Sequence, residues 1–195
     1  MRRLYAVLLS ALLAGCTSQA SAPRASAPTT GAATSTVVAG LMARPMHLPT
    51  VAAGARCPVA SRTIHALTPQ SSEAAGLGSA PLYPLADLMP PDVVLHLRDI
   101  TPDPDGLYDL KVVWGSDDRY QGPVVVRVGR LDGSGRGLVR LYYDLTATHG
   151  DATVFTLTGH HTDWPSGTFV SGPGCYAYQV DGVGFSEVIG FQVVQ

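Results

Sequence analysis

The chain has 195 residues, with 13 Lys and Arg against 15 Asp and Glu, a net charge of −2 and only 14% charged residues. That balance, with Lys111 as the single lysine, excludes a basic nucleic-acid face and a polybasic lipid-binding patch. Beyond the first fifteen residues no apolar run has the ~20 residues that a membrane-spanning helix needs.

Residues 1–15 have the layout of an export signal: Arg2 and Arg3, an apolar run from Leu4 to Leu13, then Leu13-Ala14-Gly15-Cys16. The run is roughly half a membrane span. Ala14 and Gly15 let the backbone lie extended in a peptidase groove, and Leu13 fills an apolar subsite. This block resembles the lipobox of bacterial lipoproteins, which implies cleavage ahead of Cys16 and acylation of its sulfur; the alternative is an ordinary signal peptide with an incidental cysteine. Acyl chains at ~0.8 kcal/mol per buried methylene would hold the product on a membrane. Arg2-Arg3 matches a twin-arginine signal only in part, so the general export route is expected. Thr17, where an aspartate would retain the protein at an inner membrane, points to the outer membrane of a diderm or the outer face of a monoderm membrane. Loss of Arg2 and Arg3 takes the net charge from −2 to about −4.

Residues 16–45 are expected to form a lipidated, disordered tether, because Thr17 to Gly40 is almost entirely Ala, Ser, Thr, Pro and Gly with no apolar periodicity. Residues 46–91 combine dense prolines, from Pro49 to Pro91, with apolar Leu48, Val51, Val59, Leu67, Leu82 and Leu85. Proline at that density opposes regular elements, so an irregular strap over the next domain is expected, with a short helix allowed at Ser71–Ala75.

From residue 92 to 195 the pattern alternates with period two. Val93, Leu95 and Leu97 share one face; Tyr108, Leu110, Val112 and Trp114 follow; then Val124, Val126 and Val128; then Val139, Leu141, Tyr143 and Leu145. Further strands are expected at Thr153–Leu157, Cys175–Val180 and Phe185–Val193. Asp105-Gly106, Asp132-Gly133 and Asp181-Gly182 supply hairpin turns. About seven short strands without an amphipathic helix predict an all-β fold: one antiparallel β-sandwich, immunoglobulin-like in architecture, with a flattened barrel as the rival.

With Cys16 taken by lipid, Cys57 and Cys175 remain, an even pair in an extracytoplasmic chain, and a disulfide between them is expected. Two buried free thiols are the alternative. The blocks Gly54-Ala55-Arg56-Cys57-Pro58-Val59, Tyr120-Gln121-Gly122-Pro123-Val124, Leu131-Asp132-Gly133 and Gly172-Pro173-Gly174-Cys175-Tyr176-Ala177-Tyr178-Gln179-Val180-Asp181-Gly182 together resemble a family of uncharacterised bacterial extracytoplasmic proteins and lipoproteins. The resemblance runs from about Pro45 to the C-terminus and is poor from Ser134 to Ser171. It implies the architecture and the paired cysteines and brings no chemistry with it. The immunoglobulin likeness is looser still, since Cys57 lies far upstream of Trp114 and Tyr176 follows its cysteine.

His149, His160, His161 and Asp163, with Asp151, flank one expected strand and offer nitrogen and oxygen ligands for zinc or copper, but their spacing matches no compact motif. Met42, Met46 and His47 are soft donors better explained by packing or exposure. Asp103, Asp105 and Asp109 around Gly106 lack the EF-hand pattern and read as a capped turn. Asp117 and Asp118 read as solvated turn residues. No Gly-x-Ser-x-Gly elbow or cysteine–histidine arrangement is present. Trp164-Pro165-Ser166-Gly167-Thr168-Phe169 is expected in a turn-rich loop, with Trp164 and Phe169 exposed for recognition or else capping the core. The function expected is that of a non-enzymatic, membrane-anchored surface module without a cofactor, binding an envelope protein or glycan or serving structurally; a copper- or zinc-binding lipoprotein is the alternative, and an envelope hydrolase a third.

Overall fold

The structure, a computed structural model, describes residues 30–65, 74–86, 89–90, 93–158 and 161–195, with backbone alone at 30–33, 74 and 161–163. A helix, α1 (Thr30–Met42), precedes the strands β1 (Arg62–His65), β2 (Ala74–Leu77), β3 (Leu82–Pro84), β4 (Val94–His96), β5 (Tyr108–Ser116), β6 (Gly122–Arg130), β7 (Arg136–Leu141), β8 (Thr148–His149), β9 (Ala152–Leu157), β10 (His161–Val170), β11 (Gly174–Gly182) and β12 (Phe185–Val194). A single 3-10 turn, Leu145–Ala147, stands between β7 and β8.

The fold is all-β. One curled, mixed sheet runs β3-β5-β10-β7-β6-β11-β12-β4, and β9 joins the same edge of β6 as β7. The pairings are antiparallel except β12 with β4, which is parallel. β7 meets β6 only at Val128↔Gly137 and Gly129↔Arg136, then swings away to pair with β10 from Gly137 to Leu141. β9 takes the vacated edge, from Gly122↔Leu157 to Arg127↔Ala152. Gly137 stands at the swing because a Cβ there would collide with Val128. The sheet thus divides into two facing wings, β3-β5-β10-β7 and β9-β6-β11-β12-β4. Nothing in this strand order confirms an immunoglobulin pattern.

The core lies between the wings. Trp114 on β5 meets Tyr178 on β11 edge-on at 4.9 Å and Phe155 on β9 at 5.5 Å, while Phe191 on β12 stacks on Tyr178 at 4.5 Å. Each large apolar side chain so buried contributes about 1.5–3 kcal/mol. The two polar tips are satisfied: Trp114 Nε1 donates to Ser166 Oγ at 3.1 Å, and Thr168 Oγ1 lies 2.8 Å from Tyr178 Oη. Trp164, Ser166, Thr168 and Val170 of β10 therefore face the core.

The outer face of the second wing is covered as well. Val125, the outward residue between Val124 and Val126, is buried against Leu41 of α1 and Ala152, with Val37, Met42 and Val154 around them. Residues 30–42 thus form a docked helix where composition predicts a coil. Val37, Leu41 and Met42 recur at helical spacing within an alanine-rich stretch, and tertiary burial supplies the stability that an isolated helix of this length lacks. Next along the chain, residues 44–60 cross β6, β11 and β12. Arg127 donates to the Arg44 carbonyl at 2.5 Å and to Asp181 Oδ2 at 2.6 Å. The His47 N–H donates to Gln179 Oε1 at 2.6 Å, the Val51 N–H to the Leu131 carbonyl at 2.8 Å, and the Ala60 N–H to the Gly190 carbonyl at 2.8 Å. Cys57 is bridged to Cys175, with Cα atoms 5.4 Å apart. β11 is consequently buried on both faces from Cys175 to Gly182.

Several sequence expectations are corrected. The Pro-rich segment is not wholly irregular: β1 and β2 pair as a hairpin of their own, and β3 edges β5, because these stretches fall between the prolines and Pro84 closes β3 at the sheet margin. The helix allowed at Ser71–Ala75 falls partly outside the described residues, and Ala74 and Ala75 belong to β2. The segment around Trp164 and Phe169 is no loop but the long interior strand β10. Pro165 is tolerated there because its carbonyl accepts from the Tyr142 N–H just past the end of β7, so its missing donor falls where the ladder stops. β7 ends at Leu141, and Tyr143 and Leu145 are 87% and 71% exposed. The last hairpin turns two residues after Asp181-Gly182, at Val183-Gly184: Gly182 pairs with Phe185, and Gly184 carries the positive φ of 87°.

Candidate functional site

Where β7 leaves β6 and the wings part, a groove of about 860 Å³ opens, a size within the ~300–1,000 Å³ of ordinary ligand pockets. One wall is α1, through Ser35, Val38, Ala39 and Met42. Leu141 of β7, Val154 and Phe155 of β9, and Trp164 and Pro165 of β10 form the other side. Phe155 and Trp164 meet edge to face at 5.7 Å, so the floor is aromatic and joined to the core. The strand swing and the docked helix create this space together.

The rim is polar. Asp144 caps the 3-10 turn, accepting from the Thr146 N–H at 3.1 Å and from its hydroxyl at 2.5 Å. The hydrogen bonds to Thr146 hold its carboxyl below the usual carboxylate range. Tyr143, His149 and Thr156 complete that side. Although Ser35, His149 and Asp144 all line the groove, the carboxylate is committed to Thr146 and does not orient the imidazole, which a nucleophile–base arrangement requires.

The sequence-derived site residues are distributed unevenly around this groove. Trp164 and His149 line it. Phe169 lies on the opposite face of β10 from Trp164, half-buried on the outer surface beneath the Arg140 guanidinium, which sits 5.0 Å from its ring. The pair does not form one recognition patch, since an odd separation along a strand sends side chains to opposite faces. Cys16 and His160 lie outside the described residues, and His161 and Asp163 are placed in β10 by their backbone alone. Among the described residues no three of His, Cys, Asp and Glu gather in a way that would hold a metal ion. Met42 packs beside α1's buried cluster and Met46 approaches Gly129 of β6. Asp103 Oδ1 accepts from the N–H groups of Asp105 and Leu107, both at 2.9 Å, so it builds the turn at Gly106.

No family model, curated protein or solved structure matches this chain.

One cluster was not legible in sequence. Asp117, expected in a solvated turn with Asp118, is 4% exposed and accepts from Arg119 Nε at 2.7 Å. His65, from the Pro-rich segment, points Nδ1 at the same carboxylate across 3.5 Å and donates through Nε2 to the Gly78 carbonyl at 3.1 Å. Its ring stacks on Tyr83 at 3.6 Å. Burial, then the Asp117 charge, push the Tyr83 hydroxyl up to about 12. Both ring nitrogens of His65 face protein acceptors, so this cluster serves to pin the β1–β2 hairpin to the end of β5 and leaves no nitrogen for proton transfer to a ligand. His65 and Asp117 are 52 positions apart in separate composition zones, and no spacing signal connects them.

Proposed function

We propose that the chain is a secreted bacterial lipoprotein, acylated on Cys16, whose β domain captures a small ligand in the groove between α1 and the parted wings without converting it. The groove carries this reading: a ligand-sized, aromatic-floored cleft with a few polar groups gathered on one rim is the usual form of a binding site. The address rests on Leu13-Ala14-Gly15-Cys16 and on the Cys57–Cys175 bridge, which suits an oxidising compartment. A concave cleft favours a small molecule over the flat contact with an envelope protein or glycan that sequence alone suggests. Among the described residues, metal binding and hydrolysis have no comparable geometric support.

Two measurements test the two halves of the proposal. Mass spectrometry of the protein from a lipoprotein-processing bacterium is expected to find an N-terminal acylated Cys16; an unmodified residue on a product shed into the medium refutes the anchor. Organic extracts of the purified protein are expected to contain a small molecule that is missing from an Ala39→Phe variant. Identical extracts refute the groove as the site.

A further inference from the structure

We infer that the groove takes the aliphatic chain of a membrane amphiphile whose head group is uncharged or cationic. The inference rests on the reading of this groove as a ligand site and adds what the ligand is. Three observations support it independently of one another.

The first is the separation of apolar and polar lining. Val38, Ala39, Met42, Val154, Phe155 and Trp164 offer an extended apolar surface, whereas Tyr143, Asp144, His149 and Thr156 gather at the rim. A wholly polar ligand would lose hydration against that floor, and a wholly apolar one would leave the rim unused. An amphiphile satisfies both.

The second is charge. Among the described residues lining the groove there is one carboxylate, Asp144, and no lysine or arginine. Asp144 stays ionised at neutral pH because its bonds to Thr146 favour the carboxylate. An anionic head would face that charge with no cation in the lining to offset it. A neutral head finds hydroxyl partners in Tyr143 and Thr156, and a cationic head gains both the carboxylate and the face of the Tyr143 ring.

The third is position. Tyr143 edges the mouth and Leu145 follows the lining residue Asp144 in sequence; they are two of the most exposed large apolar side chains among the described residues, at 87% and 71%. Exposed apolar groups beside a cleft mark an interaction edge, and tyrosine suits a lipid–water boundary. With Cys16 acylated, the connection from Cys16 to Thr30 spans at most about 50 Å even when fully extended, so α1, one wall of the groove, stays near the membrane surface. Membrane amphiphiles are then the ligands at highest local concentration.

The test uses three probes with one tail and different heads: dodecyl maltoside, dodecyltrimethylammonium and dodecyl sulfate, each below its micelle concentration. They are titrated into the mature chain from residue 16, with Cys16→Ser so that no detergent is needed, and tryptophan emission is followed, with Trp164 in the groove and Trp114 in the core as its two sources. The maltoside and ammonium probes are expected to give saturable shifts, and the sulfate to bind about fivefold more weakly or worse, the size of a rim-charge effect. Asp144→Asn, which keeps the cap, is expected to close the gap between sulfate and maltoside. Ala39→Phe, or Thr156→Phe from the opposite and exposed wall, is expected to abolish binding of all three while circular dichroism stays unchanged. Sulfate binding as tightly as maltoside, or a gap that survives Asp144→Asn, overturns the head-group inference and leaves ligand capture standing. No saturable response to any probe, or a response indifferent to both groove-filling variants, overturns the inference together with the groove as a ligand site.

Discussion

Removing the Cys57–Cys175 bridge gives the largest single change in stability expected for this protein. The cysteines are 118 residues apart in sequence. For a loop of that size the chain-entropy relation assigns about 5 kcal/mol to cross-linking the unfolded state, an upper value because a collapsed denatured chain already restricts the loop. The native strap keeps its other attachments, the Val51–Leu131 and Ala60–Gly190 backbone bonds and the packing of Leu48, Val51 and Val59 around Leu131 and Ala177, so the folded form survives and the loss falls on the equilibrium. The expected cost of Cys57→Ala with Cys175→Ala is about 3–5 kcal/mol, a large share of the ~5–15 kcal/mol that holds a domain together. Urea denaturation of the oxidised chain and the double variant reads it directly. With a slope near ~2 kcal/mol per molar urea, the midpoint should fall by about 2 M. A shift below about 0.5 M, with unchanged slope, would refute the reasoning.

Three further outcomes follow from particular contacts. Leu41→Ala empties the centre of the contact between α1 and Val125, 2% exposed in the native protein, and should cost about 2–4 kcal/mol; the same variant should weaken ligand capture, since the groove loses its helical wall, and normal binding by a destabilised variant would count against α1 as that wall. Gly190→Ala sets a Cβ against the Pro58 carbonyl. It should lower the melting temperature and make the Cys57–Cys175 bridge more readily reduced, both measurable in one thiol-titration melt. Burial alone would raise the Asp132 carboxyl, but hydrogen bonds from Arg130 at 2.7 Å and from the Cys175 N–H at 3.1 Å outweigh it and hold it below the usual range. A carboxylate whose folded value is depressed adds stability that is complete above about pH 4 and is lost as pH falls through the folded value. Asp132→Asn should therefore flatten the stability profile below about pH 4 and leave its shape above pH 5 alone; an unchanged acid limb contradicts the assignment.

How much of the fold could be read from the residues depended on whether burial was one-sided. Val93–Leu97, Tyr108–Trp114 and Phe185–Val193 alternate cleanly where a side chain's face follows from its parity, and a strand overlaps each of these spans. β10 escaped because Asp163, Pro165, Ser166 and Gly167 are turn formers by local preference, yet an interior strand can hold small residues where neighbours crowd it: Gly167 leaves no space for a Cβ beside Asp109 and Phe169. Tyr143 and Leu145 continued the alternation of β7 past its end, since periodicity does not register when a partner strand runs out.

The residues alone determined that this is an all-β chain with strands at particular spans, and they marked Cys57 and Cys175 as candidates for a bridge, because alternation and cysteine count are local properties. The tertiary structure decided the rest. Which edge β7 abandons, which helix covers Val125, and where the wings part are set by contacts between segments distant in sequence, so the groove that assembles Val38, Phe155 and Trp164 exists only after those segments meet.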